Sequence, residues 1–75
     1  MRMAEQIVTH DERHGVSYIY LAGRIPAGGV ASTVSVPPGR PSMCLDFDSN
    51  GHLIGIELLE PGLLHPALKA VAVEP

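Results

Sequence analysis

The stretch Asp46-Phe47-Asp48-Ser49-Asn50-Gly51, followed five residues later by Glu57, has the spacing of a calcium-binding loop. Alternate oxygens at Asp46, Asp48 and Asn50 could converge on a hard cation. Gly51 would allow the sharp turn, and Glu57 would close the site in bidentate fashion. The surroundings do not suit that chemistry. A calcium loop of this type needs a helix entering at Asp46, yet Pro37, Pro38, Gly39 and Pro41 stand just before it. An exit helix would begin near Ile54, where Gly55, Pro61 and Gly62 leave no room. The same residues fit a hairpin turn flanked by solvated acids, so Asp46, Asp48, Asn50 and Glu57 are the metal candidates but no metal or other cofactor is expected.

The remaining chemistry-bearing residues are dispersed. His10 and His14 are four apart in a turn-rich segment, and His52 and His65 are distant in sequence, so all four are expected as exposed loop histidines. Cys44 is the sole cysteine and has no basic neighbour to activate a thiolate. Ser17, Ser32, Ser35, Ser42 and Ser49 lack a nucleophile-elbow context. Gly23, Gly28 and Gly29 sit in a loop with Arg24, but no helix follows to offer its N-terminus to a phosphate. No catalytic residues are assigned, and the chain is not expected to be an enzyme. Tyr18 and Tyr20 project from one face of a strand. They either pack that face or form a stripe for a partner, since tyrosine is enriched at interfaces.

These residues must be held by short elements. Turn clusters at His10 to Gly15, Gly23 to Gly29, Pro37 to Pro41, Asp48 to Gly51 and Glu60 to Gly62 divide the chain into runs of strand length. The runs are Glu5 to Thr9, Val16 to Leu21, Val30 to Val36, Met43 to Asp48 and His52 to Leu59. In the fourth, Met43, Leu45 and Phe47 face one way and Cys44, Asp46 and Asp48 the other. In the fifth, Ile54, Ile56 and Leu58 oppose Leu53, Gly55, Glu57 and Leu59. Matching the apolar faces predicts a hairpin pairing Phe47 with His52, Leu45 with Ile54 and Met43 with Ile56. After Gly62 the apolar residues Leu63, Leu64, Ala67, Leu68 and Val71 recur at helical spacing, and Pro66 suits a first helical position. A short helix over Pro66 to Val71 is expected to cover one sheet face. The fold class is therefore mainly β (α+β): a small antiparallel meander of about five strands with one short C-terminal helix, in a single domain spanning 1–75.

Composition narrows the partners. The formal charge is -3, without the clustered Lys and Arg of a nucleic-acid footprint. No apolar run approaches the ~20 residues of a membrane-spanning helix. One cysteine excludes an internal disulfide framework, and a cytoplasmic setting is expected. The chain is 45% hydrophobic. Those residues occur on both sides of the strands, more than one short helix can cover, so a homo-oligomer, as a dimer, is expected to complete the core.

Tyr18-Ile19-Tyr20-Leu21, Thr33-x-x-Val36 and Asp46-Phe47-Asp48-x-x-Gly51-x-x-Ile54-Gly55-Ile56-Glu57-Leu58-Leu59 together resemble bacterial domain-of-unknown-function family 2283, over about positions 9 to 65. The resemblance implies a small antiparallel sheet and brings no catalytic residues. It departs near the start, where His10-Asp11-Glu12 stands in place of a Tyr-Asp-Pro opening and Gly15 in place of an acid. Some members of that family are associated with toxin-like neighbours. Two functions follow as expectations: a non-enzymatic protein-interaction module that self-associates, or an antitoxin-like neutraliser of an unidentified protein partner.

Overall fold

A computed structural model describes residues 7–75. The strands are β1 (Ile7–Asp11), β2 (Val16–Tyr20), β3 (Ser32–Val36), β4 (Met43–Phe47) and β5 (Leu53–Leu58), followed by α1 (Pro66–Lys69). All pairings are antiparallel, and the sheet order is β1-β2-β5-β4-β3. The mainly β fold with one short C-terminal helix is as the residue pattern predicts. Its topology is a β1–β2 hairpin joined to a β3–β4–β5 meander through the β2·β5 pair. Residues 21–31 must therefore cross the ends of β5 and β4 to reach the far edge. They do so by short ties: the Leu21 N–H donates to the Ile54 carbonyl at 3.0 Å, and the Ala31 N–H to that of Phe47 at 2.8 Å.

Cross-strand partners share a face, so the register assigns both faces of the sheet. One face carries Val8, Ile19, Leu58, Ile56, Met43, Leu45, Val34 and Val36, with the polar pair His10 and Ser17. The other carries Thr9, Tyr18, Tyr20, Glu57, Gly55, Cys44, Asp46, Thr33 and Ser35. The apolar alternation within β4 and β5 reflects this division.

The hairpin register differs from the expected one. Leu45 pairs with Ile56 and Met43 with Leu58, two residues along from the expected partners, while Phe47 pairs with Leu53. A slip of two residues leaves every side chain on its own face, so face matching alone cannot choose between these registers. The pairing skips Ile54, which forms a bulge between the Gly55 and Leu53 positions. This extra residue brings Leu53 onto the face of Phe47, opposite to its expected side.

The core lies at one end of the apolar face. Val8, Leu58 and Leu64 are its most buried members, with Ile19, Met43, Ile56 and Ala72 packed against them. The C-terminal segment provides the cover, but not through α1, which ends at Lys69 rather than Val71 and buries no residue. Of the five residues at helical spacing only Leu64 is buried; Leu68 and Val71 face solvent, the latter 69% exposed. A one-turn helix has too little surface to lay an apolar stripe on a sheet. It serves as a corner between Leu64 and Ala72, which flank it and do the packing. Pro66 begins it as expected, and the His65 side chain caps it by accepting the Ala67 N–H at 3.0 Å. The chain then returns along the β1 edge, where Val73 exchanges backbone hydrogen bonds with Val8 (2.9 Å) and His10 (3.0 Å).

Candidate functional site

The acidic hairpin is built as a turn. The Asp48 Oδ1 accepts the N–H groups of Asn50 (3.0 Å) and His52 (2.9 Å), and the Asp48 N–H donates to the His52 carbonyl at 2.9 Å. Gly51 takes the left-handed backbone this closure needs, with φ of 81°. Asp46 stands on the sheet, where its two oxygens accept from Tyr18 and Thr33, and Glu57 lies further along β5 opposite Cys44. Among the described residues, no group of three His, Cys, Asp or Glu is arranged to hold a metal ion.

A second aspartate performs the same task at the other hairpin. The Asp11 Oδ1 accepts from the N–H groups of Arg13 (2.9 Å) and His14 (3.3 Å), while Oδ2 meets His14 Nδ1 at 2.7 Å. The His14 side chain holds the Asp11 carboxyl below its ordinary pKa, and the His52 backbone N–H does the same for Asp48. A depressed folded-state pKa contributes stability above the ordinary carboxylate value near 4 and loses it as pH falls through the folded value. Urea midpoints at pH 7 and pH 3 are therefore expected to fall less for the double variant Asp11→Asn, Asp48→Asn than for the parent. An equally steep fall would show that neither turn carboxylate drives the acid limb.

Tyr18 and Tyr20 do share a face, with ring centroids 4.5 Å apart and planes tilted by 48°. Their roles diverge. Tyr18 leans across β5 and donates its hydroxyl to Asp46 Oδ2 on β4 at 2.5 Å; Thr33 on β3 donates to Oδ1 at 2.6 Å. One carboxylate thus ties β2, β4 and β3 together over the polar face. The path exists because β5 presents Gly55 beneath the ring: a Cβ there would overlap the Tyr18 hydroxyl and ring carbons. Burial, and then the hydrogen bond to Asp46, push the Tyr18 phenol above its ordinary pKa. Tyr20 lies under the Arg24 guanidinium, 5.8 Å from the ring centroid, a contact worth about 0.5–1 kcal/mol at an exposed site.

Two open clefts border this face. One, of about 230 Å³, lies among Thr9, Tyr18, Tyr20, Glu57 and Pro75. The other, of about 260 Å³, is bounded by Arg24, Ile25, Pro26, Asp48 and the bulged Ile54. Each is at or below the small end of ligand pockets.

His10 is the residue that sequence reasoning placed wrongly. It belongs to β1, is buried, and makes a 2.7 Å contact from Nδ1 to the buried Ser17 Oγ, its cross-strand partner. The expectation of four exposed loop histidines fails here because the returning C-terminal segment covers β1, burying Val8, Thr9 and His10 in succession. Glu12 Oε1 stands 3.6 Å from His10 Nε2 and equally 3.6 Å from Lys69 Nζ. Serine, histidine and carboxylate in this order invite comparison with a nucleophilic triad, but the contacts do not fit one. The carboxylate lies beyond hydrogen-bond length of the ring. The Ser17 residue is only 3% exposed, and its hydroxyl is turned to His10. The pair is a satisfied polar contact inside the core. Its only sequence signal was facing: His10 is two residues from Val8, so any covered β1 buries both.

Comparison of the chain with protein-family profiles, curated proteins and solved structures found no match. The resemblance noted above rests on the quoted residues alone.

Proposed function

We propose that this chain is a non-enzymatic protein-interaction module that self-associates. The observation carrying this reading is that only half of the apolar face is covered. Leu64 and Ala72 pack with Val8, Ile19 and the Ile56 and Leu58 part of β5, while Val34 (49% exposed) and Val36 (36%) on β3 and Leu53 (37%) at the start of β5 meet solvent. No apolar side chain among the described residues is completely removed from water. Solvent-exposed apolar side chains on a sheet face beside a thin core are what association relieves. The free thiol of Cys44 fits a reducing, cytoplasmic setting. No helix of the described residues is long and apolar enough to cross a membrane.

Sedimentation velocity between about 1 and 100 μM is expected to show a monomer–dimer equilibrium. Val36→Lys, placing a charge on the uncovered half-face, should weaken it by at least about tenfold, or about 1.4 kcal/mol. A parent chain that stays monomeric across that range overturns the reading.

A further inference from the structure

The two edges of the sheet are finished differently. The β1 edge is capped by the chain's own return at Val73, and β1 ends in the charged Asp11. The β3 edge has no backbone partner among the described residues. Its sequence, Ser32-Thr33-Val34-Ser35-Val36, has no charge and no internal proline, and two of its five residues are β-branched valines. Natural edge strands are normally blunted by a lysine, a proline, a bulge or a covering segment. Among the described residues this strand has none of these, and four of its five residues are exposed. The absence of charge extends well beyond the strand: no Asp, Glu, Lys, Arg or His occurs from Ile25 to Gly39.

We infer that β3 is a homotypic pairing edge, at which two copies of this chain join their sheets antiparallel about Val34. The inference rests on the self-association reading and names the surface and register that produce it. Charge selects the partner. Each copy carries a net charge of -3, so a like copy is best met where neither brings charge, and the 25–39 stretch is that surface. A partner recognised by charge would find none on β3 itself, and the neighbouring Asp46 carboxylate is already engaged by Thr33 and Tyr18.

The register follows from facing. A two-fold axis through Val34 sets Val34 against Val34 of the second copy, Ser32 against its Val36, and Thr33 against its Ser35, using all five residues. It keeps Val34 and Val36 on the same side as the apolar face of both sheets, so the two uncovered half-faces merge into one. A shift by one residue would set Val34 against Ser35 and turn apolar face against polar face. A shift by two restores the facing but leaves fewer residues paired. Pro37, unable to donate to a ladder, marks the end of the paired segment.

Cysteine cross-linking in a Cys44→Ser background reads this arrangement directly. At the axis, two Val34→Cys residues would lie within the roughly 4.4–6.8 Å Cα separation a disulfide requires. Two Val36→Cys residues would be displaced by about 13 Å along the strands and could not bridge. Mixed Thr33→Cys and Ser35→Cys chains should cross-link through the polar face, a contact that sheets packed face to face on their apolar sides cannot make. Under mild oxidation, Val34→Cys should form covalent dimer at least about tenfold faster than Val36→Cys, and the mixed pair should form heterodimer. A chain that sediments as a dimer yet cross-links equally at both positions, or at neither, overturns the edge pairing while self-association stands. A chain that remains monomeric overturns both.

Discussion

Leu64→Ala is expected to remove a large part of the folding free energy of this domain. Leu64 is 7% exposed and packs with Val8 and Leu58, the other two well-buried hydrophobic side chains among the described residues. Truncating a buried leucine costs about 2–5 kcal/mol, and a domain of this size has roughly 4–11 kcal/mol in total. The loss should exceed simple cavity formation, because Leu64 is also what fastens the C-terminal segment to the sheet. Once it is gone, the hydrogen bonds from Val73 to β1 and the cover over His10 and Ser17 lose their anchor. Val71→Ala is the internal comparison: on the same segment but 69% exposed, it should change stability by no more than about 0.5 kcal/mol. Urea unfolding at one fixed protein concentration, which keeps any association constant, measures both. Equal losses for the two variants would contradict the placement of the core.

The second large effect is expected at Gly55. Its φ is not in the left-handed region that demands glycine, and in a strand interior glycine is ordinarily less favourable than alanine by about 0.5–1 kcal/mol. On backbone grounds alone, Gly55→Ala should stabilise. The structure predicts the opposite, because the methyl group would occupy the space of the Tyr18 ring. Tyr18 would have to swing away, surrendering its hydrogen bond and leaving the half-buried Asp46 with Thr33 as its remaining side-chain donor. A carboxylate so exposed to loss of a donor costs about 1–3 kcal/mol, and the packing of the ring over the strand is lost as well. The decisive measurement is a double-mutant cycle. Gly55→Ala should destabilise by about 2–3 kcal/mol in the parent and be neutral or stabilising with Tyr18→Ala present, a coupling of the size seen for residues in contact. Additive effects would show that the tyrosine does not occupy that slot. Tyr18→Phe separates the parts, keeping the ring while removing the donor to Asp46.

These two sites illustrate where sequence reasoning reached and where it stopped. Glycine and proline positions, with two-residue alternation in runs such as Met43 to Phe47, locate the five strands to within a few residues, Glu5 and Gln6 of the first run lying outside the described residues, because turn chemistry and pleat facing are local properties. The common face of Tyr18 and Tyr20 is legible for the same reason. Facing cannot, however, distinguish registers two residues apart, so the bulge at Ile54 and the pairing of Leu45 with Ile56 were out of reach. The helical spacing of Leu63 to Val71 does mark a helix, over Pro66–Lys69, but that helix does not cover the sheet. Which of those residues packs depends on where a one-turn corner aims its flanks, a property of the assembled sheet.

Local patterning by itself determined the mainly β class, the β4–β5 hairpin, the turn character of the acidic loop, and a hydrophobic content greater than one short helix can cover. Only the tertiary structure decided that β2 lies beside β5, that β3 is left as the open edge, that His10 is buried against Ser17, and that Gly55 is the slot for Tyr18. Each of these joins residues far apart in the chain, or depends on a segment that does. Contacts of this kind are selected by the summed packing of the whole sheet, and no window of neighbouring residues carries that sum.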